Sequence, residues 1–70
     1  MKISYKKLWL WLIEHDITKT TLRQSTELSP GTMSKLNKGE EVSLSVLLRI
    51  CEYLNCDIGD ICEAVRVGKE

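Results

Sequence analysis

The sequence is poor in the features that mark most large functional classes. It has 70 residues, no phenylalanine, one proline, one histidine and a formal net charge of zero. The longest apolar run, Leu8 to Ile13, has six residues, whereas a membrane-spanning helix needs about 20. Charged residues follow this run at once, in place of the small residues of a signal-peptide cleavage site. We therefore expect one cytoplasmic domain over residues 1–70.

The cysteines do not suit a disulfide framework or a zinc site. Cys51, Cys56 and Cys62 are odd in number, with four and five residues between them, and His15 is the single histidine. Neither structural disulfides nor a bound metal is predicted from this spacing. Cys51 falls on an apolar helical stripe, where a free thiol packs as a small hydrophobic group. Cys56 and Cys62 flank a predicted turn, which leaves a thiol sensor open as the alternative.

Catalytic signatures are missing as well. The sequence holds no glycine-rich phosphate loop and no H-E-x-x-H, and one histidine supplies no convincing nucleophile–histidine–carboxylate set. It therefore predicts a protein that is not an enzyme and that needs no cofactor or small-molecule ligand.

The zero net charge conceals an asymmetry between two halves of the chain. Residues 1–38 hold seven basic and three acidic groups, and residues 39–70 hold three basic and seven acidic groups. The halves thus carry +4 and −4. A bipolar chain of this kind can turn its basic end towards phosphate, with an attraction that salt screens. Chance asymmetry in a short chain is the alternative, because charge bears on association rather than on fold.

Residues 18–38 carry the strongest local pattern. Thr18 and Ser29 are predicted N-caps of two short helices, and Pro30 takes the first helical position of the second one. A tight turn joins the helices, and the outer face of the second helix is polar and basic. A helix pair of this form is how proteins present a helix to the DNA major groove. The apolar side of the pair consists of Leu22, Met33 and Leu36.

Three more helices are predicted around this pair. The first runs from about Tyr5 to His15 behind an N-cap at Ser4, the fourth over Leu44 to Leu54, and the fifth over Ile58 to about Val65. No strand candidate is longer than three or four residues, and the C-terminal residues 66–70 are expected to fray. The sequence thus predicts five helices.

The first predicted helix is apolar nearly all round. One face carries the core positions, but Leu10 and Trp11 fall outside that face. Either a neighbouring helix covers them or a second subunit does. The second alternative makes Leu10 and Trp11 the interface of a homodimer.

Taken together, these residues resemble the small Cro- and phage-repressor-type helix-turn-helix domains, the XRE family, over nearly the whole chain. The resemblance implies an all-α, five-helix, lambda-repressor-like DNA-binding domain of a compact stand-alone subgroup. The residues that carry it are Leu22, Ser29, Thr32, Met33, Ser34, Lys35, Leu36, Lys38, Gly39, Ser43, Leu44, Leu47, Ile50, Cys51, Leu54, Asp57, Ile58, Gly59, Asp60 and Ile61.

Two positions depart from the family pattern. Arg23 stands where a small residue packs between the motif helices, so its stem must follow the surface or its charge must find an acidic partner. Glu27 stands where the turn usually has glycine, and a positive φ there costs about 1 kcal/mol or more. Both changes affect how deeply the second helix enters a groove.

The resemblance also implies the residues that touch DNA. The start of the second motif helix would face base edges, with Lys35 as donor to guanine, and other polar groups would hold phosphate. Asn37 is expected either to cap the helix end or to touch DNA. The proposed base contacts are Ser29, Pro30, Gly31, Thr32, Ser34 and Lys35. The proposed phosphate contacts are Lys19, Thr20, Lys38 and Ser43.

Two function classes follow from the sequence. The first is a sequence-specific regulator of transcription, a repressor or modulator that binds double-stranded DNA as a dimer through residues 29–37. The second is a helical protein-interaction module that keeps the fold and has lost DNA binding. The basic half and the resemblance favour the first class, whereas the zero net charge and the few base-reading groups favour the second.

Overall fold

A computed structural model describes residues 1–67 as four helices closed by a small sheet. In chain order the elements are strand β1 (Lys2–Ser4), helices α1 (Lys6–Glu14), α2 (Lys19–Thr26), α3 (Pro30–Lys38) and α4 (Leu44–Leu54), a 3-10 turn (Ile58–Asp60) and strand β2 (Glu63–Val65). The domain is thus mostly helical, and it fits the expected all-α class. Within residues 1–67, every helix is too short or too polar to cross a bilayer.

One core joins all of the helices. Most of the apolar positions predicted for the first four helices are buried, although Trp9 is only half-buried, and the turn between α2 and α3 adds Leu28. The side chains that follow the 3-10 turn are buried in the same cluster. The core consists of Tyr5, Leu8, Leu12, Leu22, Leu28, Met33, Leu36, Leu47, Ile50, Cys51, Leu54, Ile61 and Cys62.

The predicted fifth helix does not form, and two short strands are present in a chain whose sequence offered no strand candidate longer than three or four residues. Asp57 caps a single 3-10 turn in a capping box with Asp60. The chain then extends as β2 and pairs antiparallel with β1, placing Ile3 opposite Ala64. Each strand has three residues, too few to show the alternation by which strands are recognised in a sequence.

The first helix also begins differently from the prediction. Ser4 ends β1, and Tyr5 takes the N-cap position without a side-chain cap. Ser4 Oγ accepts a hydrogen bond of 3.4 Å from the Lys6 N–H. Of the residues predicted to fray, 68–70 lie outside the described part of the chain, and Arg66 and Val67 follow β2 outside any helix or strand.

Candidate nucleic-acid interface

The two motif helices are capped as the sequence predicts. Thr18 Oγ1 accepts a hydrogen bond of 3.1 Å from the Thr21 N–H, and α2 follows directly. Ser29 Oγ accepts one of 3.1 Å from the Thr32 N–H, with proline at the start of α3. Each side chain satisfies an N–H that has no partner within its helix. The start of each helix is therefore fixed by a contact between residues three positions apart.

The turn between α2 and α3 is tight because Glu27 adopts the left-handed conformation. Its φ and ψ are 57° and 36°, so the strain expected from the sequence is present. The Leu28 N–H donates back to the Arg23 carbonyl at 3.0 Å. Leu28 is then buried, with 4% of its surface exposed. Burial of this side chain holds the turn in place.

Helix α4 supports the same turn from behind. Arg49 Nη1 donates a hydrogen bond of 3.2 Å to the Thr26 carbonyl at the end of α2. Thr26 is itself buried, and its Oγ1 donates to the Leu22 carbonyl at 2.6 Å. Arg23, the other departure from the family pattern, lies half-buried on α2. A cation on α4 therefore takes part in setting how α2 leads into α3.

The six proposed base-contacting residues lie together on the first turns of α3 and its cap, but not all of them are equally available. Lys35 is exposed, whereas Thr32 and Ser34 are half-buried. Ser29 Oγ donates to Thr32 Oγ1 at 2.9 Å and accepts from the Thr32 N–H, so the Ser29 hydroxyl is engaged within the protein. Lys35 is therefore the group on this face with the most freedom to bond a base edge. Ser29, Pro30 and Gly31 are exposed beside it.

The four proposed phosphate-contacting residues fall into two pairs. Thr20 and Lys38 are exposed. Lys19 and Ser43 are engaged within the protein, since Ser43 Oγ caps α4 by accepting from the Val46 N–H at 3.3 Å. Lys19 is held by residues of two other helices, a contact that the sequence does not reveal.

Lys19 links three helices. Its Nζ donates a hydrogen bond of 2.8 Å to Asn37 Oδ1 on α3. The same ammonium lies 4.2 Å from the centroid of the Trp9 ring on α1, within the range of a cation–π interaction. Asn37 thus accepts from a lysine 18 residues away and is not the helix cap that the sequence allowed. No spacing rule predicts such a contact, because its three members belong to different helices.

Tyr5 fixes the loop that follows α3. Its hydroxyl donates a hydrogen bond of 2.8 Å to the Glu40 carbonyl, and burial raises the pKa of its phenol. At the end of α3 itself, Gly39 takes a φ of 75°, as expected of a glycine helix terminator. The loop that leads to Ser43 is thereby held against α1.

The two side chains proposed for a dimer interface differ in exposure. Leu10 is 53% exposed on the outer face of α1. Trp11 is half-buried against the core and stacks on His15, with ring centroids 4.9 Å apart. Ile13, which the sequence did not single out, is 72% exposed on the same helix as Leu10.

All three cysteines are free thiols. Burial, together with the neighbouring Cys51, raises the pKa of Cys56 to about 11. Burial also raises the pKa of Cys51 and of Cys62. Since the thiolate is the reactive form, these surroundings favour the structural role over the sensor.

Comparison with known proteins agrees with this geometry. Residues 7–66 match the family model of the Cro/C1-type HTH DNA-binding domain. The chain is 56% identical to the transcriptional regulator VanUg in its form II crystal structure, with a TM-score of 0.90. The match covers 91% of this chain and 85% of that one. No curated protein matches the sequence.

Proposed function

The chain belongs to the Cro/C1-type helix-turn-helix DNA-binding domains and is a DNA-binding transcriptional regulator, and we propose that it binds duplex DNA in the cytoplasm through the start of α3, as a repressor or modulator. The observation that carries this proposal is the capped α2–α3 pair, which displays the first turns of α3 outward from a rigid turn. The pair belongs to the basic half of the sequence, residues 1–38, which supports an attraction to phosphate.

Lys35 carries most of the proposed base recognition. It is exposed one turn into α3, where an ammonium can donate to guanine O6 or N7. The hydroxyls of Ser29, Thr32 and Ser34 supply shorter contacts, and Pro30 and Gly31 allow the backbone to approach the bases. Lys19, Thr20, Lys38 and Ser43 are proposed to hold phosphates on either side.

A homodimer is proposed because one α3 offers few base contacts. Two subunits related by a two-fold axis would read half-sites about 34 Å apart. Leu10 and Trp11 on α1 are the proposed interface, and the exposure of Leu10 supports it.

The test of DNA binding compares two lysines of α3. DNA fragments are first selected from a random pool with the purified chain, and binding of the selected duplex is then measured by fluorescence anisotropy. Lys35→Ala should relax the preference at one base position, at a cost of about 1–3 kcal/mol. Lys38→Ala, the matched control, should weaken binding to all sequences alike. Wild-type protein that binds no duplex even at low salt would refute the proposal.

The test of the dimer compares two leucines of similar exposure. Leu10 is 53% exposed on α1, and Leu48 is 50% exposed on α4. Leu10→Lys should shift the sedimenting species from dimer to monomer, because a charge does not fit an apolar interface, whereas Leu48→Lys should not. Dissociation by Leu48→Lys alone would move the interface to α4.

A further inference from the structure

A groove of about 470 Å³ opens where the N-terminal strand and α1 meet the end of α3. Three of its lining side chains are lysines from separate parts of the chain: Lys2 on β1, Lys6 at the start of α1 and Lys38 at the end of α3. Trp9 and Asn37 form part of its wall. Within residues 1–67, none of the side chains that line it is acidic.

The charged side chains that line the groove are all positive, and Glu40 and Glu41 line the neighbouring hollow on the far side of Lys2 and Gly39. A fourth ammonium, that of Lys19, lies at its edge through its contacts with Trp9 and Asn37. Because Asn37 Oδ1 already accepts from Lys19, the polar group that this side chain has left is its NH₂ donor. The charged and polar side-chain groups of the groove are therefore mainly donors and cations, the chemistry that binds phosphate oxygens, and they stand beside an apolar lining that includes Ile3, Leu36 and Val65.

The groove also lies where a DNA backbone would pass. Helix α3 has nine residues, a length of about 13 Å at roughly 1.5 Å per residue. This is close to the width of the major groove, about 12 Å. When the first turns of α3 reach base edges, its last turn and Lys38 therefore emerge at the phosphates that border the groove. Related helix-turn-helix variants place the end of their recognition helix on the backbone in this way.

We propose that this groove is a second phosphate-binding site, in which Lys2 and Lys6 join Lys38 in holding the DNA backbone beside the bases that α3 contacts. The proposal rests on the proposed function, because the phosphates belong to the same duplex. It adds the N-terminal strand and the start of α1 to a contact surface that otherwise belongs to the motif and the loop after it. It also gives the lysines of the first seven residues two distinct roles.

Lys7 has a different role from Lys2 and Lys6, a contact within the protein, and it provides the control. It lies next to Lys6 in the sequence and is also exposed. Its Nζ, however, donates a hydrogen bond of 3.1 Å to the Gly59 carbonyl of the 3-10 turn, and it does not line the groove. Lys6→Ala and Lys7→Ala therefore remove the same charge from the same helix turn, one inside the proposed site and one outside it.

The experiment measures duplex binding by anisotropy between about 50 and 200 mM salt. Lys6→Ala, and separately Lys2→Ala, should make the negative slope of log affinity against log salt concentration shallower by about 0.9, the value for one phosphate contact. Lys7→Ala should leave the slope at the wild-type value. Wild-type slopes in both Lys2→Ala and Lys6→Ala, with duplex binding intact, would overturn the groove and leave the proposed function standing.

Two other outcomes separate the sources of phosphate. If the wild-type chain binds no duplex at any salt concentration, the proposed function fails and the groove fails with it. Inorganic phosphate alone is titrated in parallel, with the side-chain NH₂ resonance of Asn37 as reporter. Saturable shifts that Lys6→Ala abolishes, combined with unchanged DNA slopes in that variant, would assign the groove to a free anion and overturn the proposal. Reduced DNA slopes without saturable binding of free phosphate would support it.

Discussion

The α2–α3 motif and the closing segment (residues 56–67) belong to one core, but different interactions hold them in place. The start of each motif helix and the turn between them are fixed by contacts between residues three to five apart, such as that between Ser29 and Thr32, and the longer contacts of Lys19 and Arg49 add to them. The closing segment is fixed largely by distant partners, with β2 pairing to β1 and Lys7 reaching across to Gly59. Short-range contacts therefore contribute most to the helix that we propose reads DNA, whereas long-range contacts close the domain around it.

The motif and the closing segment therefore have different roles in the fold. Helix α3 receives its direction from the turn at Glu27, where the Leu28 N–H donates to the Arg23 carbonyl, a contact that does not involve the closing segment. The closing segment instead holds α1 and α4 together, because Ile61 and Cys62 are buried among their apolar side chains. A change in the closing segment should thus alter stability more than it alters what α3 can read.

The largest effect that tests this comparison is the loss of Ile61. Its side chain is fully buried, at 0% exposure, so Ile61→Ala removes apolar contacts and leaves a cavity that costs about 2–5 kcal/mol of unfolding free energy. Urea denaturation followed by circular dichroism measures the loss. Ile13→Ala is the control, since Ile13 is 72% exposed and should change the stability by less than about 0.5 kcal/mol. Equal losses in the two variants would show that the closing segment is not part of the core.

The same division explains how much of the fold the sequence could predict. The boundaries of α2, α3 and α4 follow from Thr18, Ser29 and Ser43, whose cap contacts lie within three residues. The strands could not be predicted, because Lys2 and Val65 become partners only after the whole chain has folded. Asp57 and Ile58 have the pattern of a helix start. The chain leaves the helical conformation after one 3-10 turn, where Ile61 is buried and β2 pairs with β1.

The candidate site divides in the same manner. The placement of Lys35 on the outer face of α3 follows from helical periodicity, and it agrees with the structure. The contact of Lys19 with Trp9 and Asn37, and the meeting of Lys2 with Lys38 at one groove, depend on the packing of separate elements. Residue types gave no signal for these contacts, because each lysine alone has the pattern of a solvated surface residue.

The next effect in size concerns the thiols of the closing segment. The pKa of Cys56 is raised from 9.0 to about 11, so at neutral pH its thiolate is roughly 100-fold rarer than in the unfolded chain. Alkylation of Cys56 by iodoacetamide, followed by peptide mass spectrometry, should be about 100-fold slower in the folded protein. Its rate should climb with pH to about 11. A plateau near pH 9 would mean that the thiol is solvated as in the unfolded chain.

The raised pKa also fixes the sign of an effect on stability. The folded state holds the Cys56 proton more tightly than the unfolded state does, so this contribution to stability is complete below about pH 9. It is lost as pH rises towards about 11, because the unfolded chain then gains by ionising. Urea denaturation of the wild type and of Cys56→Ala should show a weaker alkaline loss in the variant.

The smallest expected effect concerns the α2–α3 motif, where the left-handed conformation of Glu27 strains the backbone of the turn. Glu27 has a φ of 57°, whereas glycine adopts positive φ freely. Glu27→Gly should raise the unfolding free energy by about 0.5–1 kcal/mol. The greater conformational freedom of glycine in the unfolded chain reduces this gain. Glu41→Gly is the matched control, an exposed glutamate with ordinary φ, and should destabilise slightly. A thermal shift of a few degrees upward for Glu27→Gly and downward for Glu41→Gly would establish that local backbone strain sets the turn. A loss in both variants would mean instead that the Glu27 side chain makes up for its strain, and the motif would then depend on more than its own caps.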